Sequence, residues 1–174
     1  MGLLKRRTPT VPADLRDRLE IPAREKLLAW GDGPRGDSDR SSALVAATDS
    51  ALYVEAAGER FAWDRISQAR WEEPLLEVDV LRDGGRTGPT LRLHLDVSGD
   101  LPAAIHDRVT ASVVASELID LGDGVIARMI ARRASDGADI HWTVAFQGDV
   151  NPEDPELQKR ARESLAEFRS ALGI

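Results

Sequence analysis

Three short apolar runs follow one another near the centre of the chain with only three or four residues between them. The runs are residues 43–47, 51–55 and 60–63, and the spacers are rich in Thr, Ser, Asp and Gly. A parallel crossover needs a dozen or more residues, which these spacers cannot supply. They therefore predict hairpins between antiparallel strands, and a β-meander at the centre of the fold.

The residues before this meander predict an arm, a short helix and a first strand. Residues 1–12 hold two prolines among polar and basic residues, which is typical of a flexible arm. No apolar run follows the basic cluster in this arm, so we expect no signal peptide. Leu15 and Leu19 lie one helical turn apart, and Pro22 predicts the end of that helix. Residues 25–30 are assigned to the first strand.

Residues 31–36 match the G-x-G-x-x-G pattern of dinucleotide-binding loops. That fingerprint also needs a helix starting inside the motif, because the amides at its N-terminus hold the pyrophosphate. Pro34 and then another strand follow here, so we expect a hairpin loop and no nucleotide cofactor. Asp37 and Asp39 in the same loop lack the spacing of a calcium site.

The clearest strand signal is the alternation between residues 76 and 97. Apolar positions alternate there with charged ones, as in a hairpin with one solvated face. A symmetric hairpin would place Arg92 opposite Asp79, and His94 opposite Glu77. The pair of His94 and Glu77 is the strongest acid–base candidate in the chain, with a surface pair that sets the register as the favoured alternative.

The second half predicts a helix, a second meander and a final helix. Leu101, Ile105 and Val109 have helical spacing, which indicates a short helix over residues 101–111. Residues 113–121, 125–133 and 140–146 predict three strands joined by glycine-containing turns. The final helix should begin at Asp154 and Pro155 and end at Gly173. Its apolar face consists of Leu157, Ala161, Leu165, Phe168 and Leu172.

Composition excludes several kinds of chemistry. The net charge of −7 disfavours a nucleic-acid binder or a protein of anionic membrane surfaces. The chain has no cysteine, which excludes disulfides and thiolate metal sites. Its three histidines lie on three elements without ligand spacing, so we expect no metal site. No run is long and apolar enough for a membrane helix, and we expect a cytoplasmic protein.

Three residues are candidates for contact with a partner. Trp71 stands among charged residues, which indicates the edge of a sheet, whereas Trp63 and Trp142 are expected in the core. Arg128 and Arg132 should share one face of a strand and could bind an anion or an acidic partner. Charged protection of an edge strand is the other interpretation of these arginines.

The segment from residue 25 to 80 resembles bacterial pleckstrin-homology-like domains. A Thr48-Asp49 hairpin and a corner with Trp63 and Ile66 carry the resemblance, within a core at residues 25–111. The segment is also similar to a family of small proteins from high-GC bacteria. The resemblance implies a seven-stranded bent sheet or partly open barrel, closed by a helix and used for binding. Residues 112–174 extend beyond that pattern, and the acidic first loop does not support lipid head-group binding.

We therefore predict an α+β fold whose single domain covers residues 13–174: a mainly antiparallel bent sheet, a middle helix, a second meander and a C-terminal helix. The predicted function is a non-enzymatic interaction module that binds another protein, without cofactor or metal. The alternative is a small-ligand-binding protein or enzyme. Its pocket would lie between the sheet and the C-terminal helix, with polar groups from His94 or His141.

Overall fold

The computed structural model of the chain describes residues 10–33, 44–82, 87–135, 137 and 139–173. Most of the predicted N-terminal arm, the second half of the glycine motif, Asp37 and Asp39 lie outside the described residues. The described part is α+β, with three antiparallel sheets, a middle helix and a C-terminal helix. This confirms the predicted fold class. The predicted bent sheet is divided between the first two sheets, and the second meander forms the third.

The first sheet is a meander in which each strand pairs with the next along the chain. Its strands are β1 (Leu27–Gly31), β2 (Val45–Thr48), β3 (Ala51–Val54) and β4 (Glu59–Ala62). The Thr48 hydroxyl stabilises the short turn between β2 and β3: it accepts from the amides of Ser50 and Ala51 and donates to the Glu25 carboxylate at 2.7 Å. A 3₁₀ turn at Trp63–Arg65, hereafter the corner, then leads out of the sheet.

The second sheet contains β5 (Ile66–Glu72), β6 (Leu75–Leu81) and β7 (Thr87–His94). Its predicted alternation is confirmed, but the predicted cross-strand partners are wrong. Arg92 lies opposite Glu77, while His94 lies opposite Leu75. The register differs by two residues from that of a symmetric hairpin, and a ladder irregularity lies between Asp79 and Leu81. A shift of two residues preserves the faces, because side chains alternate with a period of two.

The helix α2 (Leu101–Ser112) packs on both of these sheets and closes the main core. A backbone bridge between Asp32 and Val97 precedes this helix. The Asp32 carbonyl accepts from the Val97 amide at 3.0 Å, and the Asp32 amide donates to the Val97 carbonyl at 2.8 Å. Gly31 permits this approach, since a Cβ there would stand 2.8 Å from both the Val97 oxygen and a Leu101 methyl. Trp63 is buried in this core, as expected.

A second, smaller core covers the outer face of the first sheet. The short helix α1 (Leu15–Arg18) and the residues after it supply Leu15, Leu19 and Ile21. The sheet supplies Leu44, Ala46, Ala51 and Tyr53. The strands β2 and β3 are consequently buried on both faces.

The third sheet and the last helix form the remainder of the fold. The strands are β8 (Val113–Asp120), β9 (Ile126–Arg133) and β10 (Ile140–Phe146), in the order β10-β9-β8. The helix α3 (Pro155–Leu172) packs on one face of this sheet through Leu157, Ala161 and Phe168. The Asp154 carboxylate accepts from the amides of residues 156 and 157, and Gly173 ends the helix at a φ of +71°. Both predicted ends of this helix are confirmed.

Candidate functional site

Trp71 lies near the end of β5, opposite Leu76 on the neighbouring strand. Its ring is partly buried against the main core, and β5 is an edge strand of its sheet. The edge position agrees with the sequence analysis. A contact between Trp71 and a partner stays a prediction. Part of the ring already packs on the main core, so only the remaining part is available for such a contact.

Arg128 and Arg132 do share one face of β9, the face that points away from α3. Arg128 is exposed and donates to the Ser116 hydroxyl across the ladder at 3.4 Å. Arg132 is only 3% exposed, because the end of α2 and the start of β5 lie over it. The prediction that both arginines form one accessible patch is therefore wrong for Arg132. The other interpretation, protection of an edge strand, is wrong for both, because β9 is the middle strand of its sheet.

Arg132 instead joins three parts of the fold. Its Nη1 donates to the Ser112 hydroxyl at 2.7 Å and to the Val109 carbonyl at 3.1 Å, at the end of α2. Its Nη2 donates to the Ser67 carbonyl at 2.9 Å, in β5. Burial lowers the pKa of Arg132, and the charge of Asp64 opposes that shift. These contacts make Arg132 a joint between the third sheet and the rest of the molecule.

A second polar contact spans the same joint. The carboxylate of Asp64, in the corner, is buried and lies 2.5 Å from His141 Nδ1, on β10. The imidazole is partly exposed. A buried carboxylate beside one ring nitrogen fixes the orientation of the ring, which serves proton transfer in active sites and serves rigidity elsewhere. No local pattern indicates this pair, because 77 positions separate the two residues along the chain.

The predicted pocket between the sheet and α3 does not receive the two histidines. His141 points to the corner, on the face of the third sheet opposite α3. His94 ends β7, in another sheet. On the α3 side, Trp142 instead packs edge to face on Phe168, with ring centroids 5.7 Å apart, and Arg169 lies over the same indole. Trp142, which is expected in the core, is partly buried and packs on the apolar cluster under α3.

The face of the third sheet away from α3 is covered at one end and uncovered at the other. The rung of Arg132 and His141 lies under α2 and the corner. Two residues further along, Thr143 is still buried. The exposed residues of this face are hereafter called the open face; they are Ser116, Leu118, Arg128 and Ala145.

The strand β8 supplies Ser116 and Leu118 of the open face and is an edge strand of its sheet. It pairs with β9 on one side only, within the described part of the chain. Leu118 is 51% exposed and Val114 is 42% exposed, which places two large apolar side chains at this edge. The sequence analysis assigned the strand and missed its exposure. Apolar residues on both faces of a strand were the available signal.

Among the described residues, no group of three or more His, Asp or Glu side chains is placed to hold a metal ion. No helix in that part of the chain is long and apolar enough to cross a membrane. Comparisons with protein-family models, with curated proteins and with solved structures found no match for this chain.

Proposed function

We propose that the chain is a non-enzymatic interaction module of the cytoplasm, built on a pleckstrin-homology-like core, and that it binds a partner protein along β8. One observation carries the proposal: the eight-residue strand β8, which has β9 on one side and no described strand on the other, exposes Val114 and Leu118. Seven strands in two sheets followed by α2 support the likeness of the core. The absence of cysteine from the sequence fits a reducing compartment.

An extended segment of the partner fits this edge better than a helix does. A free strand presents a row of amides and carbonyls that an added strand can satisfy, and side chains on alternate positions then give specificity. Natural proteins usually protect such an edge with charged side chains, Lys above all, with Pro or with a bulge. The strand β8 contains neither Lys nor Pro, and its only irregularity lies at its start, between Val113 and Ala115.

The charges on β8 indicate which kind of segment could pair with this strand. The strand carries Glu117 and Asp120 and no basic residue. Pairing β8 with the same strand of a second copy would bring four carboxylates into one ladder, which is unfavourable. The partner segment should therefore carry a basic side chain opposite Glu117. On the open face it should carry an apolar side chain for Leu118 and an acidic one for Arg128.

The test compares Leu118→Lys with Leu172→Lys in affinity capture from the native cells, followed by quantitative mass spectrometry. Leu172 is exposed to a similar degree, at the end of α3, and is the matched control. Both substitutions should leave stability within about 0.5 kcal/mol, because about half of each side chain is already in water and the Lys stem can cover the same surface. We expect a polypeptide retained by the wild type and by Leu172→Lys, and lost with Leu118→Lys.

Hydrogen exchange on the reconstituted complex then tests the mode of binding. Strand addition should slow exchange of the amides on the outer edge of β8. Equal capture by the wild type and Leu118→Lys, or protection confined to β5 around Trp71, would reject this surface. Dimerisation of the purified chain that Leu118→Lys abolishes would replace the partner protein by a second copy.

A further inference from the structure

The buried apolar residues of the molecule fall into separate clusters on either side of Val113. The main core and the small core under α1 lie entirely before this residue. The cluster under α3 lies entirely after it. No apolar cluster of the described residues contains side chains from both parts. We call the two parts the N-terminal lobe, which ends at Ser112, and the C-terminal lobe, which begins at Val113.

The two lobes are connected without a loop. The helix α2 ends at Ser112, and β8 begins at Val113 with extended backbone angles, a φ of −75° and a ψ of 120°. The pairing of β8 with β9 is irregular at the same point, between Val113 and Ala115. Domain movements are absorbed by a few residues at the ends of elements, where few ladder bonds restrain φ and ψ. Residues 113–115, hereafter the hinge, have this position.

Polar contacts join the lobes on the far side of the hinge. Arg132 donates three hydrogen bonds to the N-terminal lobe, at the end of α2 and in β5. His141 contacts Asp64, and the Ser135 hydroxyl accepts from the Trp63 amide at 3.3 Å. Water can replace each of these hydrogen bonds when the lobes separate, whereas it cannot replace the contacts of an apolar core. Separation at this joint therefore costs less free energy than the opening of either lobe.

The guanidinium of Arg132 makes the closed joint less stable than its hydrogen bonds alone suggest. The side chain is only 3% exposed, and the acceptors that hold it are two carbonyls and a hydroxyl. Its Nε is buried and has no hydrogen-bond partner within the described part of the chain. Burial lowers the pKa of Arg132 despite the charge of Asp64, so the surroundings disfavour the charged form. Separation of the lobes returns this group to water, and its hydration then favours the separated form.

The joint covers the near end of the same sheet face that carries the open face. Arg132, His141 and Thr143 occupy this end, in line with Arg128 and Ala145 further along the two strands. The corner and the end of α2 lie over Arg132 and His141. With the lobes apart, the whole face of the third sheet away from α3 becomes one accessible surface.

We propose that the C-terminal lobe moves about the hinge as a unit, and that the joint is a releasable, autoinhibitory contact over the near end of this face. The partner proposed for β8 would reach more surface on the separated form and would shift the equilibrium toward it. That step rests on the proposed function, whereas separation of the lobes is a property of the chain alone. Either proposal can therefore fail without the other.

The test measures the distance between the lobes in the full chain, by pulsed electron paramagnetic resonance between two spin labels. The chain has no cysteine, so Ala103→Cys on α2 and Ala166→Cys on α3 give one labelled pair at exposed helical positions. We expect one main distance in this background. Arg132→Met should enrich a second distance about tenfold, because it removes three hydrogen bonds from the closed joint. Arg128→Met, on the same face of β9, should leave the distances unchanged.

Hydrogen exchange on the same variants distinguishes movement of the lobe from its unfolding. The Trp63 amide, which donates across the joint, should exchange faster in Arg132→Met, while the ladder amides of β9 stay protected. His141→Ala is the milder second variant and should enrich the second distance by a smaller factor. An unchanged distance in both variants would overturn the proposal. Loss of β9 protection together with the new distance would also overturn it, because the lobe would then unfold instead of moving.

Affinity capture tests the inhibitory role separately. Arg132→Met should retain several-fold more of the polypeptide that the wild type captures, because more of the face is accessible. A second distance without increased capture would leave a hinge and would reject autoinhibition. If the wild type captures no polypeptide, the proposed partner and the inhibitory role both fail, while the distances still decide whether the lobes separate.

Discussion

The outer faces of the first and third sheets are alike in sequence and differ in what covers them. Each sheet has apolar side chains on both faces of at least one strand. On the first sheet, the segment with Leu15, Leu19 and Ile21 buries the outer face of β2 and β3. On the third sheet, α3 covers one face, and the joint covers only the near end of the other.

The difference shows that apolar residues on the second face of a strand need a covering segment to remove them from water. In β2 and β3 that requirement is met by the chain itself, and Ala46 and Ala51 are small enough to let the N-terminal segment approach. In β8 the chain supplies nothing for Leu118 among the described residues. The uncovered strand is therefore the place where a second polypeptide would have most to bury.

The largest expected effect separates the covered face from the open one. Leu15→Ala removes a fully buried side chain from the cover of the first sheet and should lower the free energy of unfolding by about 3 kcal/mol. Leu118→Ala should change it by less than about 0.5 kcal/mol, because half of that side chain is already in water. Urea unfolding of both variants measures the contrast. Equal losses would mean that the two faces are equally covered in solution.

The next effect concerns the joint that covers the near end of the third sheet. Arg132→Met should cost about 2 kcal/mol, since it removes the donor to the Ser67 carbonyl and one of the two donors to the Val109 carbonyl, while relief of a buried charge offsets part of the loss. Arg128→Met, on the same face of β9, should be almost neutral. The measurement is again urea unfolding. A neutral Arg132→Met variant would show that the joint contributes nothing to stability.

Arg128 and Arg132 also show which features could not be predicted from the sequence. Alternation placed Arg128 and Arg132 on one face, which the structure confirms. Burial of one and exposure of the other depend on α2 and β5, which come from distant parts of the chain. The same limit applies to the hairpin of β6 and β7, where the period determined the faces and an irregularity near the turn changed the partners.

By contrast, elements with local causes were predicted well. The helix α3 was assigned from its cap, its proline, its apolar spacing and its terminal glycine, all of which act within a few residues. The meander of the first sheet followed from spacer length. The Asp64–His141 contact had no local cause, and only the assembled fold reveals it.

A smaller effect is expected from that contact. His141→Ala should lower the free energy of unfolding by about 1 kcal/mol, because it removes a hydrogen-bond partner from the buried Asp64 carboxylate. His94→Ala is the matched control; its side chain is exposed at the end of β7 and should contribute almost nothing. Thermal unfolding of both variants at neutral pH gives the comparison. Equal stability of the two variants would show that the contact does not hold β10 to the corner.

The smallest expected effect concerns the pKa of Tyr53, whose side chain lies under the N-terminal segment that covers the first sheet. Burial raises the pKa of Tyr53 above its ordinary value of 10.0, although the hydrogen bond from Arg60 opposes the shift. Above pH 10.0 the unfolded chain loses the phenolic proton while the folded chain retains it. Stability from this group is therefore complete below that pH and is lost as the pH rises through the folded pKa.

Tyr53 is the only tyrosine in the chain, so tyrosinate absorbance titrates this one group. The midpoint should lie above 10.0 in the folded wild type and return to the ordinary value in denaturant. In Leu15→Ala the loosened cover should admit water and move the midpoint downward, whereas Leu118→Ala should leave it unchanged. Tyr53→Phe should lose less stability than the wild type in alkaline solution. A folded midpoint at the ordinary value would mean that the N-terminal segment does not exclude water from this face.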